Sequence, residues 1–147
     1  MITRHSAQFG GPNYRVLVLN HAGASSAGLA AALAELKANG VSVDETVVLD
    51  VATLSALPVL LRGAIRLRAY DLFVVLGTVD PASPETASLS AQQIESKLMD
   101  VALVRATPLG AALFLNTTAG DIAEKLARNA VRCALEIANG IDSVDEL

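Results

Sequence analysis

Apolar and polar positions are grouped in blocks along this chain, and the blocks switch between two periods. Four short stretches are apolar on consecutive positions: Tyr14 to Asn20, Val41 to Val51 with its inner part Thr46 to Leu49, Leu72 to Leu76, and Ala111 to Asn116. Runs that short, rich in Val, Leu and Phe and apolar on both faces, predict strands buried on both sides, as in parallel sheets. Between them, apolar residues recur at helical spacing. Leu29, Leu33 and Leu36 mark a first helix that starts near Ser25 or Ser26 and stops at Asn39-Gly40. Leu54, Leu57, Leu61 and Ile65 mark a second helix, begun at Thr53 or Ser55, with Pro58 in its first turn, where a missing N–H costs nothing. Ile94, Leu98, Val101 and Ala102 mark a third, from about Glu85 to Arg105. Ile122, Leu126, Ala130, Cys133 and Ile137 line a fourth, capped by Asp121 and stopped at Asn139-Gly140.

Strand and helix therefore alternate four times. That order predicts an α/β fold, a three-layer α/β/α sandwich on a four-stranded parallel sheet with right-handed crossovers and two helices on each side. Residues 1–13 are polar and end in Gly10-Gly11-Pro12-Asn13, a flexible arm that could also pair with a neighbouring copy. Residues 14–140 form a single domain, and 141–147 a short acidic tail. Gly77 is expected to turn the chain after the third strand, and Pro108 and Gly110 to bracket the turn into the fourth. Asp80, Pro81, Ser83 and Pro84 then make a loop that ends at Glu85-Thr86. Ligands of open α/β sheets bind at the carboxyl ends of strands, so this loop is the first place to look for chemistry.

Composition narrows the choices. With 147 residues, 52% of them hydrophobic, the chain can fill one real core. A net charge of -4 argues against nucleic acid or an anionic membrane surface as partner. No stretch approaches ~18 consecutive apolar residues, and the N-terminus lacks the apolar run of a signal peptide. The one cysteine, Cys133, excludes an internal disulfide and fits the reducing cytoplasm. On the apolar stripe of its helix it reads as a buried, inert thiol rather than a nucleophile.

The chemistry-bearing residues are few. There is no glycine-rich dinucleotide fingerprint and no phosphate loop of the Lys-Ser/Thr kind, so no cofactor is expected. The two histidines, His5 and His21, stand in different contexts, and no ligand spacing for a metal exists. His21 lies at the carboxyl end of the first strand, where it is either a surface loop histidine or an acid–base group near neutral pH. Arg62 and Arg66, one helical turn apart, could grip a phosphate, although a solvated cationic face is the simpler reading. Glu85-Thr86 at a helix start either complements the helix dipole or marks N–H groups that hold an anion.

Taken together, these stretches resemble the lumazine synthases of riboflavin biosynthesis, from about Tyr14 to Asn139. Tyr70-Asp-Leu-Phe-Val-Val-Leu-Gly-Thr-Val79 resembles that family's Tyr-Asp-Ala-Val-Ile-Ala-Leu-Gly-Ala-Val strand. Pro58 falls where the family has the proline of Pro-Gly-Ala-Phe-Glu-Ile-Pro. Glu85-Thr86 resembles the Glu-Thr of its Arg-Gly-Glu-Thr-x-His phosphate loop, displaced by about two residues. Asn116-Thr-Thr118 resembles the Leu-Thr-Thr after its fourth strand, and Asn129 the asparagine of its Gly-Asn-Lys-Gly. The resemblance implies a flavodoxin-like sheet, cyclic pentamers or larger shells, and sites between adjacent subunits. It implies condensation of a ribitylamino-pyrimidinedione with a four-carbon keto-phosphate, without metal or cofactor.

The departures fall on the working parts. Where the family stacks an aromatic ring on the pyrimidine, this chain has His21-Ala22-Gly23. The segment that holds the ribityl chain aligns with Thr53, Leu54, Ser55 and Ala56, and has lost its acidic group. Ser83, Glu85 and Thr86 remain for a phosphate, but the arginine and glycine before Glu-Thr are replaced. The family's catalytic histidine falls on Ser88, whose hydroxyl cannot shuttle protons near pH 7. Arg128 is the nearest candidate for the phosphate-binding arginine, and His21 for a substitute base. The expected activity is weak or absent. The other reading is a non-catalytic shell subunit or small-molecule-binding subunit, in either case a homo-oligomer with no nucleic acid or membrane partner.

Overall fold

The computed structural model describes residues 14–21, 26–80, 82 and 90–146. The arm 1–13 lies outside them. Four strands, β1 (Val16–His21), β2 (Thr46–Val51), β3 (Leu72–Val79) and β4 (Leu109–Leu115), alternate with α1 (Ser26–Ala38), α2 (Ala56–Leu67), α3 (Ala91–Leu103) and α4 (Gly120–Glu146). The sheet is parallel throughout, in the order β2-β1-β3-β4. Alternate side chains of β1 and β3 serve opposite faces, which is why their sequences are apolar at every position. Val16, Val18, Leu72, Val74 and Leu76 face α1 and α4, while Leu17, Leu19, Phe73 and Val75 face α2 and α3. The expected sandwich with two helices on each side is the observed one.

Several boundaries differ from expectation, each for a tertiary or local reason. Strand β3 does not turn at Gly77. It runs on to Val79, and a Cβ on Gly77 would meet Leu113 Cδ2 at 2.7 Å and Leu54 Cδ1 at 3.2 Å. Gly110 likewise lies inside β4 rather than in the turn before it. A Cβ there would meet the Ala130 carbonyl oxygen at 1.7 Å, so α4 rests directly on the strand backbone. The second strand begins at Thr46, not Val41, because the Ser42 hydroxyl accepts from Asp44 N–H at 3.2 Å and starts a 3-10 turn, Val43–Glu45.

Helix α3 begins at Ala91, not Glu85. Ser90 and Gln93 form a reciprocal capping box, with bonds of 3.1 and 2.7 Å, which defines the first turn. Glu85-Thr86, expected at this helix start, lie outside the described residues. Helix α4 passes through its expected stop at Asn139-Gly140, and residues 141–146, expected as a tail, are its last turns. The Tyr14 hydroxyl lies 2.7 Å from both Asn139 Oδ1 and Asp142 Oδ2, and these contacts hold the helix past its local stop signal. Burial, and then the Asp142 carboxylate, push the Tyr14 phenol well above its ordinary range.

The buried stripe of α4 also differs from the expected one. It is made of Ala123, Ala127, Ala130, Val131, Ala134, Leu135 and Ala138. Ile122 and Leu126 are instead 52% and 39% exposed. Cys133 is exposed rather than buried, its thiol 3.9 Å from the Leu109 carbonyl. Partial desolvation, and then Glu136, raise its pKa, so the thiol stays protonated at neutral pH.

The α4–β4 contact can be tested directly. Gly110→Ala forces a methyl into a backbone carbonyl that no rotamer change can move, and should lower the unfolding free energy by about 3 kcal/mol or more. Gly77→Ala meets only the flexible end of Leu113 and should cost less. Urea midpoints of the two variants measure both, and a Gly110→Ala loss under about 1 kcal/mol would show that α4 is free to lift.

Candidate active site

The strands end together at one edge of the sheet, and there their sequences stop being apolar. Strand β1 closes on Asn20-His21, β2 on Asp50-Val51 and β3 on Thr78-Val79. The register pairs Asn20 with both Asp50 and Leu76, and His21 with Val51. Asn20 is only 8% exposed, and its Nδ2 donates to Asp50 Oδ1 at 3.0 Å. Asn20, Asp50 and Thr78 share the face covered by α1 and α4. His21 continues the Leu17-Leu19 row on the other face.

Among the described residues, three buried polar atoms at this edge have no hydrogen-bond partner: Asn20 Oδ1, His21 Nδ1 and Thr78 Oγ1. Buried polar atoms are normally satisfied, and leaving one bare costs about 1–3 kcal/mol. The carboxyl ends of parallel strands, where ligands of such sheets bind, are therefore where this protein's candidate site is sought.

On the α2/α3 face, the side to which His21 belongs and Asn20 and Thr78 do not, lies a cleft of about 520 Å³. Ser55, Pro58, Gln92, Gln93 and Lys97 line it, so the first turns of two helices look into one space. Ser55 takes the N-cap position of α2. Amide and hydroxyl groups on two helix starts, with one ammonium, suit an anionic or polyhydroxylated ligand.

The structure thus brings His21 and Ser55 to the same edge. Thr53 is exposed beside them, and its carbonyl accepts from Ala56 N–H at 3.1 Å. Leu54 is 1% exposed, its side chain committed to the core under α2. Arg128 sits on α4 and pairs with Glu124 at 3.8 Å across one helical turn. Ala22, Ser83, Glu85, Thr86 and Ser88 lie outside the described residues. Among the described residues, no three His, Cys, Asp or Glu side chains are placed to hold a metal ion. Asn20, Asp50 and Thr78 were not singled out from the sequence, although the signal was present: three apolar strands each close on a polar residue.

The family model for 6,7-dimethyl-8-ribityllumazine synthase matches residues 20–141, a span that includes all three unpartnered atoms and the whole cleft. The chain belongs to this family. No individual curated protein matches it. Among the described residues, no helix is long and apolar enough to cross a membrane.

If the Thr78 hydroxyl is kept for a ligand rather than for the fold, then Thr78→Val should keep or raise the thermal midpoint, since it removes a buried, unpaired oxygen at nearly constant shape. A loss above about 1 kcal/mol in urea unfolding would mean that the hydroxyl is satisfied within the protein.

Proposed function

We propose that this protein is an oligomeric, lumazine-synthase-like protein whose site forms lumazine weakly or not at all. The observation that carries this reading is where the aromatic rings of the described residues stand. Tyr14, Tyr70 and Phe73 gather at the amino edge of the sheet, with Tyr70 and Phe73 edge-to-face at 6.1 Å. Phe114, near the carboxyl edge, is 3% exposed and packed on Gly28. The position that would stack a pyrimidine holds His21 and Ala22, and the family's histidine position holds Ser88. Lost stacking is worth ~0.5–1.5 kcal/mol beyond burial, and lost proton transfer ~10²–10⁴-fold in rate. The two act on one complex and compound.

Assembly is supported by two different apolar surfaces on opposite edges of the sheet. Along β2 and the outer side of α2, Val47, Leu49, Val59 and Leu67 are 43%, 43%, 73% and 75% exposed. Beyond β4, Leu115 and Ile122 are 50% and 52% exposed. Unlike surfaces that face opposite ways suit a head-to-tail contact, which gives a ring where the rotation closes. A cyclic pentamer, alone or within a larger shell, fits this geometry. The second reading, a shell or binding subunit without catalysis, shares the assembly and differs only in turnover.

Purified protein incubated with the ribitylamino-pyrimidinedione and the four-carbon keto-phosphate should show lumazine fluorescence rising barely above the uncatalysed rate. Ser88→His alone should rescue little, because the ring would still lack its stacking partner. Robust wild-type turnover would overturn the reading. In light scattering the protein should run as a cyclic oligomer, and a monomer at micromolar concentration would refute the assembly.

A further inference from the structure

The amino edge of the sheet carries a second concentration of chemistry. We propose that the groove between the carboxyl-terminal halves of α2 and α3 binds a small phosphate ester bearing hydroxyl groups and a flat apolar body. This site is separate from the one at the carboxyl edge. The groove holds about 430 Å³ and is walled by Arg62, Arg66 and Arg105 over a floor of the half-buried Ile65 and Val101, with the exposed Val104 at its rim and Asp100 as its one carboxylate. An adjoining cleft of about 610 Å³ shares Ile65 and Arg105 and adds Arg68.

The pairing of the arginines singles this place out. Arg15, Arg128 and Arg132 each have a carboxylate partner, at 3.4, 3.8 and 2.7 Å. The other four arginines of the described residues have no ion-pair partner there, and all four line these two clefts. The chain has 15 acidic side chains against 11 basic ones, so a shortage of carboxylates is not the reason. Four like charges beside two aspartates, Asp100 and Asp71, leave a net positive potential that an anion would relieve.

Helix dipoles explain part of the cluster, since Arg66, Arg68 and Arg105 lie at the ends of α2 and α3. They do not explain Arg62, five positions before the end of α2, because the effect fades within the last turn. Nor do they call for arginine alone. A lysine would serve a dipole equally, yet Lys37, Lys97 and Lys125 all stand elsewhere. Arg68 even occupies a left-handed backbone position, φ 54°, which glycine would fill without strain.

The chemistry of the walls defines the ligand. Guanidinium forks match phosphate oxygens bidentately, which an ammonium cannot do. Asp100 can accept from a ligand hydroxyl, and the aliphatic floor can take a flat apolar group. The volume falls within the usual range of ~300–1,000 Å³ for small-molecule sites. The groove opens between two helices next to the amino edge of the sheet, and Arg66 also borders the apolar surface of β2 and α2.

The test is calorimetric titration of the whole protein with adenosine 5′-monophosphate at low salt, with inorganic phosphate and adenosine as separate arms. The nucleotide should bind with a Kd below about 1 mM, inorganic phosphate more weakly, and adenosine not measurably. Arg62→Ala and Arg105→Ala should each weaken nucleotide binding about tenfold or more, with unchanged circular dichroism. Arg68→Gly should weaken binding while the thermal midpoint holds or rises, an outcome that a purely structural arginine would not produce. Nucleotide binding that survives the Arg62→Ala, Arg66→Ala, Arg105→Ala triple variant would overturn the proposal. So would the absence of binding by the wild-type protein, or equal affinity for the nucleotide and inorganic phosphate.

Discussion

The fold depends on how closely α4 approaches the sheet. At Gly110 the helix carbonyl of Ala130 fills the space where any other residue would carry its Cβ. The helix can come that near only because its buried face is mostly alanine, and α1 meets it over a similarly small surface at Gly28 and Ala32. Close-packed interiors tolerate little change in volume, so this contact fixes how β4 stands relative to β3. The alignment of the strand ends, and with it the shape of the carboxyl edge, follows. The Arg132–Glu35 bond at 2.7 Å and the Tyr14 hydroxyl at the far end of α4 hold the same layer along its length.

The two edges of the sheet carry opposite chemistries. At the carboxyl edge, strand ends present neutral and acidic groups, Asn20, Asp50 and Thr78, with unsatisfied atoms kept from solvent. At the amino edge, helix ends present arginines and the aromatic pair Tyr70 and Phe73, over which Arg15 lies at 5.8 Å. The parallel topology imposes this division. Every strand ends at one edge and every crossover helix ends at the other, so each edge collects one kind of terminus.

Membership of the lumazine synthase family accounts for the sheet and the layers. It does not by itself carry the reaction, because function resides in a few side chains set on a fold that tolerates their exchange. In the reading proposed above, such exchanges fall at His21, Ala22, Ser55 and Ser88, while the apolar strands keep their pattern. Selection on packing and selection on catalysis act on different positions, and the two need not change together.

The sequence by itself determined the architecture. Four apolar runs between helical periods admit few arrangements other than a parallel sheet covered on both faces, and Leu57, Leu61 and Leu98 point inward as their spacing requires. The sequence also drew attention to the carboxyl edge through His21 and the loop after the third strand, but not through the polar strand ends Asn20, Asp50 and Thr78. What only the tertiary structure decided are the places where local signals were outvoted. Gly77 and Gly110 look like turn residues, but they lie within strands because a neighbouring side chain or helix needs the room of a missing Cβ. Asn139-Gly140 looks like a helix stop, but Tyr14, 125 residues away along the chain, holds the helix through it. The apolar stripe of Ile122, Leu126 and Cys133 looks like the core face of α4, yet the alanines are buried instead, since only they permit the close approach. The gathering of Arg62, Arg66, Arg68 and Arg105 joins two helices across 43 positions of chain, from Arg62 to Arg105, that only packing brings together.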